Sequence, residues 1–469
     1  MGKIVIAGGG MCGMTAAMML ADDGHEVTIL ERDAEPPPPE LEQAFTDWDR
    51  RSVAQFGLAH FLLARGTNIL KHEVPSAYQL LEQHGGFRLN IVGLLLSMQP
   101  GVELEPDDER FELMTGRRST LEWAVATAAA DHPGVTFRRG EAIAGLLTGT
   151  PFQDGVPHVT GVRLQSGEEV SGDIVIDATG RRSPTPDWLS EIGAVAPTEE
   201  AEDSGFAYYG RYFKSDDGSV PPMMGPALAP YGTFSVLTLP ADNGTWSVTL
   251  YGLSDDKELR RFRDPDVHQR VIEACPLHAH WLNGEPASDM ISMAGVVDRH
   301  RRFVVDGIPC ATGLLSVGDS SSCTNPSLGR GISLGLMHVE LLRREIARHA
   351  DDPMALALAF DEATETELRP YHDATTTVDR RRVAEMRATL AGREVEPDQA
   401  SQLANLLAAA GSLDPICARA YGEMIHLYAL PSEIFERPGM VEHVLSFADK
   451  VSTDPIPGPD RAQLMELVS

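Results

Sequence analysis

The chain has 469 residues, with 39 Lys and Arg against 69 Asp and Glu, a formal charge of −30. A field of that sign repels phosphate, which argues against nucleic acid and anionic membrane surfaces as partners. A hydrophobic fraction of 42% and a charged fraction of 23% exclude global disorder, and the length gives room for about three domains of roughly 150 residues each.

The opening GKIVIAGGGMCGMTAAMMLADDGHEVTILERD predicts a β-α-β unit: an apolar β run, a glycine cluster, an apolar helix, and a second β run ending at Glu31. Residues 4–20 are mostly apolar, but Gly8, Gly9, Gly10 and Gly13 interrupt them, and neither a basic leader nor a small-residue cleavage site accompanies them. The stretch is expected to be a fold element, not a signal peptide or membrane span, and the chain to be cytoplasmic. The Pro-rich, acidic stretch 34–48 is expected to be an exposed excursion without regular structure.

Order resumes beyond it. TGRRSTLEWAVATAAAD places Leu121, Val125, Ala128 and Ala129 at helical spacing, and a strand follows at 135–137. Paired strands are predicted over 158–173, then a buried run at 174–176. Between 184 and 297 the segments become aromatic and alternating, with Asp242-Asn243-Gly244 as a hairpin turn between two β runs. On the strand 206–213, Phe206, Tyr208 and Tyr212 fall on one face and Tyr209, Arg211 and Phe213 on the other. The segment from 313 returns to strand, loop and helix, so the antiparallel part reads as an insertion. Beyond Ala350 the pattern is helical, closing in the Pro/Asp-rich tail 455–461. The expected organisation is a discontinuous first domain over 1–185 and 296–345, an inserted β-sheet substrate domain over 186–295, and a C-terminal helical region over 346–469.

Gly8-x-Gly10-x-x-Gly13 follows a predicted strand and opens a predicted helix, and Glu31 ends the next strand about 20 residues on. That context fits dinucleotide binding. One glycine permits the tight turn, another lets a pyrophosphate approach the backbone, and the third packs helix on strand, while the helix N-terminus favours the anion. Glu31 is placed to accept hydrogen bonds from ribose hydroxyls. Met11, Cys12 and Arg32 flank these positions and complete the predicted contacts at this end.

The second half of the chain narrows the cofactor. Gly318-Asp319, followed by Pro326, Gly329 and Gly331, resembles the GD motif of the FAD-dependent aromatic-hydroxylase-type monooxygenases, usually written GDAAHxxxPxxGxG. Asp319 at a strand end suits a ribityl hydroxyl, Pro326 stiffens the loop, and a helix beginning near Gly331 and Ile332 would aim free N–H groups at the pyrimidine side of a flavin. The resemblance implies an α/β fold with a Rossmann-like, glutathione-reductase-type FAD-binding domain. It also implies FAD-dependent monooxygenation, hydroxylation or epoxidation of an apolar aromatic or alkene through a C4a-hydroperoxyflavin, with O2 and a small-molecule substrate as partners.

Further positions follow from the same resemblance. Arg118 resembles the family's Arg-x-x-Leu arginine at a helix start, with Arg117 a near-equal reading; Arg50 and Arg51 both resemble the arginine of the flavin-contacting loop; and Ile143 matches the strand position whose backbone meets the adenine. The segment after Arg50, with Gln55 and then His60, resembles polyether-type epoxidases, which makes His60 and Pro326 candidates at the flavin front. No amino-acid nucleophile is required.

Departures from the family pattern matter: Pro184-Thr185-Pro186 replaces the stretch ending in the middle motif's arginine, and Ser322 stands where many hydroxylases have His. Asp177-Ala178-Thr179-Gly180 keeps only part of the family's middle motif, with Thr179 in place of its Asp, and resembles relatives of the geranylgeranyl-reductase type. An FAD-dependent C=C reductase or desaturase is therefore the alternative. The reductant is expected to be NAD(P)H or reduced flavin from a partner flavin reductase, with the second favoured. The Trp-x-Trp-x-Ile-Pro motif of flavin-dependent halogenases is absent, since no two of the five tryptophans stand two apart.

Five scattered cysteines without a Cys-x-x-Cys pair predict neither disulfides nor a metal site. His278 and His280 lack a third ligand nearby and are expected to pack at a helix end, and the basic run 299–302 to pair with local carboxylates.

Overall fold

The computed structural model describes residues 2–53, 55–393, 398–452 and 456–469. Of the predicted features, only Pro455 of the tail falls outside them. A five-stranded parallel sheet forms the frame, in the order Leu314–Ser316, Ile174–Asp177, Lys3–Ala7, Glu26–Glu31, Val135–Arg139. Ile4, Ile6, Ile174 and Ile176 are buried in its centre, and the helices Met11–Asp22, Arg118–Asp131 and Gly331–His349 supply Met14, Leu121 and Leu336 to the same core. The two central strands, Lys3–Ala7 and Ile174–Asp177, are β-branched runs buried on both faces, as strands inside a parallel sheet require.

The turn after the first strand depends on two glycines. Gly8 has φ +105°, and a side chain there would meet the Ala178 carbonyl; at Gly13 it would strike the Gly8 carbonyl itself. The helix Met11–Asp22 can therefore start directly above the strand ends.

The antiparallel part is as the aromatic alternation predicts. Its sheet runs Leu228–Tyr231, Phe234–Pro240, Thr245–Leu253, Phe206–Lys214, Glu285–Pro286, with Ile291–Ala294 also paired to Phe206–Lys214. Asn243 and Gly244 take φ +52° and +67° at the hairpin, the left-handed geometry an Asn-Gly turn provides. Phe206 and Tyr208 pack in one cluster with Tyr251, while Tyr209 and Phe213 pack in another with Phe262 and Trp246.

The stretch 34–48 needs correcting. The prolines are irregular, but a helix forms at Leu41–Thr46, with Leu41 and Ala44 buried in the main core. The four prolines end before Glu40, so they delay the helix without entering it. A strand does begin at Ile143 and runs to Gln153, while the helices at Ala64–Glu73, Pro75–Gln83 and Ile91–Ser97 are not among the predicted elements. Beyond Ala350 the described chain is helical, with Pro353–Ala363, Arg369–Leu390, Gln399–Ala410 and Pro415–Ile425 as its longer helices. Among the described residues, no helix is long and apolar enough to cross a membrane.

Candidate functional site

A single cavity of ≈ 1470 Å³ opens at the carboxyl ends of the parallel strands and runs from the glycine turn to the inserted sheet. Its volume exceeds the ~300–1,000 Å³ of an ordinary single-ligand pocket. It is lined by Gly8, Gly10, Met11, Cys12, Glu31, Arg32, Arg50, Arg51, His60, Arg118, Ile143, Asp319, Pro326, Gly331 and Ile332. Gly13 and Gly318 shape the walls from behind: a side chain at Gly318 would collide with Cys12 Sγ.

At the glycine turn, Glu31 is buried and its carboxylate accepts from the Gly9 N–H at 2.8 Å and the Asp33 N–H at 2.9 Å. A carboxylate has about four acceptor directions, so capacity for ribose hydroxyls remains. A Cβ added at Gly10 would meet no protein atom within 4 Å, because it would point into the cavity. That open cradle at a helix N-terminus is what a pyrophosphate requires.

The arginines separate by burial. Arg50 donates to the Gly9 carbonyl at 2.9 Å, lies within 3.6 Å of Glu31 and Glu122 carboxylate oxygens and within 3.4 Å of Asp33, and stacks over Trp48 at 5.0 Å. Arg51 is largely exposed and pairs with Asp49 at 2.6 Å. Arg118 is buried, hydrogen-bonds Glu122 one helical turn on, and keeps its Nε without a partner. Arg117 faces elsewhere, its guanidinium clamped by Asp242 and Glu42, each at 2.6 Å, over the Phe45 ring. Glu122, which the sequence did not single out, thus lies between Arg50 and Arg118 and couples the glycine turn to the second arginine.

At the far end of the parallel sheet, burial raises the Asp319 carboxyl, opposed by the Arg118 charge, and pushes the Cys12 thiol up to about 12 with Asp319 adding to it. Cys12 is accordingly an inert packing group. The Gly318 N–H donates to His338 Nδ1 at 3.2 Å. The loop carrying Pro326 is fixed from three sides: Tyr208 donates to Asn325 Oδ1 at 2.9 Å, the Asn325 N–H donates to Asp298 at 2.5 Å, and Ser327 donates to Asp379. Burial lifts Asp298 to about 6 and Asp379 to about 7. Asp379 belongs to the C-terminal helix Arg369–Leu390, and no local signal marks it.

His60 is a neutral imidazole. Its Nδ1 lies 3.0 Å from the Leu58 carbonyl, and burial, with the Arg118 charge beside it, lowers it to about 3. Asp177 is surrounded by donors: the Thr179 N–H and hydroxyl at 2.9 and 2.6 Å, Ser183 at 2.6 Å, Thr185 at 2.7 Å and Ser316 at 3.1 Å. Its carboxylate is consumed in holding the loop.

The remaining predicted positions serve packing. His278 meets the Tyr231 hydroxyl at 2.9 Å and His280 the Pro222 carbonyl at 2.8 Å. Arg299 and Arg301 pair with Glu199, His300 with Glu365, and Arg302 with Asp361. All five cysteines are unpaired. Asp414, Cys417 and His443 bring ligand-type atoms within 4.8 Å of one another, and Asp414 there accepts from the Cys417 N–H as the cap of the helix Pro415–Ile425.

The chain is similar to several known proteins. A family model described as FAD binding domain matches residues 1–352. Protein Rv3254 of Mycobacterium tuberculosis is 26% identical, over 77% of this chain and 76% of its own. Kynurenine 3-monooxygenase of Salinispora arenicola is 28% identical over 38% of this chain and 36% of its own. Among solved structures, PqsL, a probable FAD-dependent monooxygenase from Pseudomonas aeruginosa, superposes with a TM-score of 0.58 at 15% identity, covering 83% of this chain and 98% of PqsL.

Proposed function

The chain belongs to the FAD-binding-domain family, and from that premise we propose that it is an FAD-dependent monooxygenase acting on an apolar aromatic or alkene small molecule. The observation that carries the reading is the continuity of the cavity: one space holds the glycine turn, Asp319 and Pro326, and continues beneath the inserted sheet to Leu237 and Leu239. A cofactor seated on the turn would leave its reactive end facing that apolar space.

When bound, the flavin supplies two electrons to O2, so that one oxygen atom enters the substrate and the other leaves as water. The chain's own residues bind, orient and exclude water. Gly10 and the N-terminus of Met11–Asp22 take the pyrophosphate, Glu31 the adenosine ribose, Arg118 the pyrophosphate or ribityl chain, and Asp319 a ribityl hydroxyl. The free N–H groups of Gly331 and Ile332 stabilise negative charge on the pyrimidine side. His60, neutral and half-buried, and Pro326 border the reacting end.

The electrons come from NAD(P)H or from reduced flavin delivered by a partner reductase. The second source is favoured by the Asp177 loop, whose only carboxylate is saturated by hydroxyls. An oxygen electrode tests the function: with reductant and FAD present, O2 uptake rises when an apolar alkene such as farnesol is added and an oxygenated product accumulates. Uptake that ends entirely in hydrogen peroxide, with the alkene unchanged, overturns it for that substrate class.

A further inference from the structure

Beyond Pro326 the cavity does not close over the flavin front but extends between the helix Ile91–Ser97 and the C-terminal helices Gln399–Ala410 and Pro415–Ile425. Leu95 and Met98, at and just after the helix Ile91–Ser97, Ala404 and Ala408 of Gln399–Ala410, and Tyr421 and Met424 of Pro415–Ile425 line this extension, together with Met223 and Met224 from the loop of the inserted sheet. Among the described lining residues of this outer part, none is charged; the arginines and carboxylates of the cavity all lie at the cofactor end or at its junction with the chamber. The polar side chains in it are neutral, chiefly the Asn405 amide and the Tyr421 hydroxyl. Burial raises the Tyr421 phenol, which therefore stays a hydroxyl that can donate one hydrogen bond.

We propose that this extension is the substrate chamber, that its occupant is an elongated, neutral, apolar molecule such as an isoprenoid or polyketide chain, and that the C-terminal helices set the accepted length. The inference rests on the monooxygenase reading and adds the substrate class to it. Met98 and Met224 leave the outer chamber partly open to water, so a carboxylate or phosphate seated against its apolar wall would give up part of its hydration with no cation there to meet it, which selects against charged molecules. Met98, Met223, Met224 and Met424 give an adaptable apolar lining, and alanines at 404 and 408 leave width that larger side chains would fill. A compact aromatic acid would leave most of this space empty.

The test is equilibrium binding to the FAD-loaded protein, with Nile red as a fluorescent reporter displaced by hexanol, dodecanol, farnesol and farnesoic acid. Each buried methylene adds roughly fourfold to affinity, equivalent to about 0.8 kcal/mol, so dodecanol is expected to bind at least tenfold tighter than hexanol. Farnesol is expected to bind at least tenfold tighter than farnesoic acid. Ala408→Trp and Leu95→Trp, on two different helices lining the chamber, should each weaken farnesol at least tenfold while FAD content stays at wild-type level. If either variant fails to fold, the other and the wild-type series still decide. Affinity independent of chain length, equal binding of acid and alcohol, or farnesol affinity untouched by both variants would overturn the chamber. Failure of the probes to bind in a protein that still couples O2 uptake to oxygenation of another molecule would reject this substrate class alone. Tight binding without any oxygenation would reject the monooxygenase reading alone.

Discussion

The Gly318 N–H donates to Nδ1 of His338 at 3.2 Å, and His338 Nε2 lies 3.0 Å from the Thr364 hydroxyl. One imidazole thus joins the Asp319 loop to the helix Gly331–His349 and to the segment beyond it, and only the neutral tautomer with Nδ1 free can accept from Gly318. Burial, reinforced by His300, lowers its proton affinity to about 3.

The consequence is acid sensitivity. The folded imidazole stays neutral while the unfolded one takes a proton below about pH 6.5, so its contribution is fully present above that value and is lost as pH falls from about 6.5 towards 3. Near pH 5 the loss amounts to roughly 2 kcal/mol. His338→Gln should be less stable than wild type at neutral pH and close most of that gap near pH 5. Thermal melts at the two pH values check this; parallel curves would contradict it.

Gly10 and Gly13 separate cofactor binding from folding. A side chain at Gly10 points into the cavity and meets no protein atom, whereas one at Gly13 strikes the Gly8 carbonyl. Gly10→Val should yield a folded, colourless protein. Gly13→Val should lose about 1–3 kcal/mol or more of stability. Flavin absorbance after gel filtration, alongside circular dichroism, reads both; a yellow Gly10→Val protein with normal FAD content would remove the pyrophosphate from this turn.

Arg117 and Arg118 should differ in kind. In the proposed role Arg118 donates a charge-assisted hydrogen bond to FAD, so Arg118→Ala should weaken FAD by about 1.5–3 kcal/mol. Arg117→Ala leaves the fully buried Asp242 without its partner and should cost about 3–5 kcal/mol of folding stability. FAD titration and denaturant unfolding of the two variants distinguish the roles, and an unchanged FAD dissociation constant in Arg118→Ala would end its assignment.

That pair also shows what was legible in the sequence. The glycine turn, Glu31 and the Gly318-Asp319 segment are local patterns, each read within about 20 residues, and the helix Arg118–Asp131 follows from apolar spacing. Which arginine faces the cavity is decided by Asp242, 125 residues away in the inserted sheet, and by Glu42 on a helix that the preceding prolines concealed. Arg50 and Arg51 are likewise separated only once Glu31, Asp33 and Glu122 converge on one of them. The chamber walls carry no motif. Leu95, Ala408 and Met424 look like ordinary core residues until distant helices assemble around a space.

The Asp177 loop bears on the reductant. With the carboxylate saturated by Thr179, Ser183, Thr185 and Ser316, no carboxylate of the loop is free to position a nicotinamide cofactor. Anaerobic stopped-flow mixing with saturating NADPH should leave the bound flavin oxidised, while reduced flavin from a separate reductase restores turnover. Bleaching by NADPH on the order of 10 per second, an ordinary turnover rate, would show instead that the chain accepts hydride directly.

The central claim, oxygenation of an apolar molecule beside the flavin, is tested most directly with isotopic oxygen. The FAD-loaded protein is photoreduced anaerobically in the presence of farnesol, observed, and then exposed to 18O2. The account predicts that the flavin stays bleached until oxygen arrives and that the recovered product carries one 18O atom. Recolouring in the absence of oxygen, with a double bond of farnesol reduced, would contradict it and identify the chain as a C=C reductase.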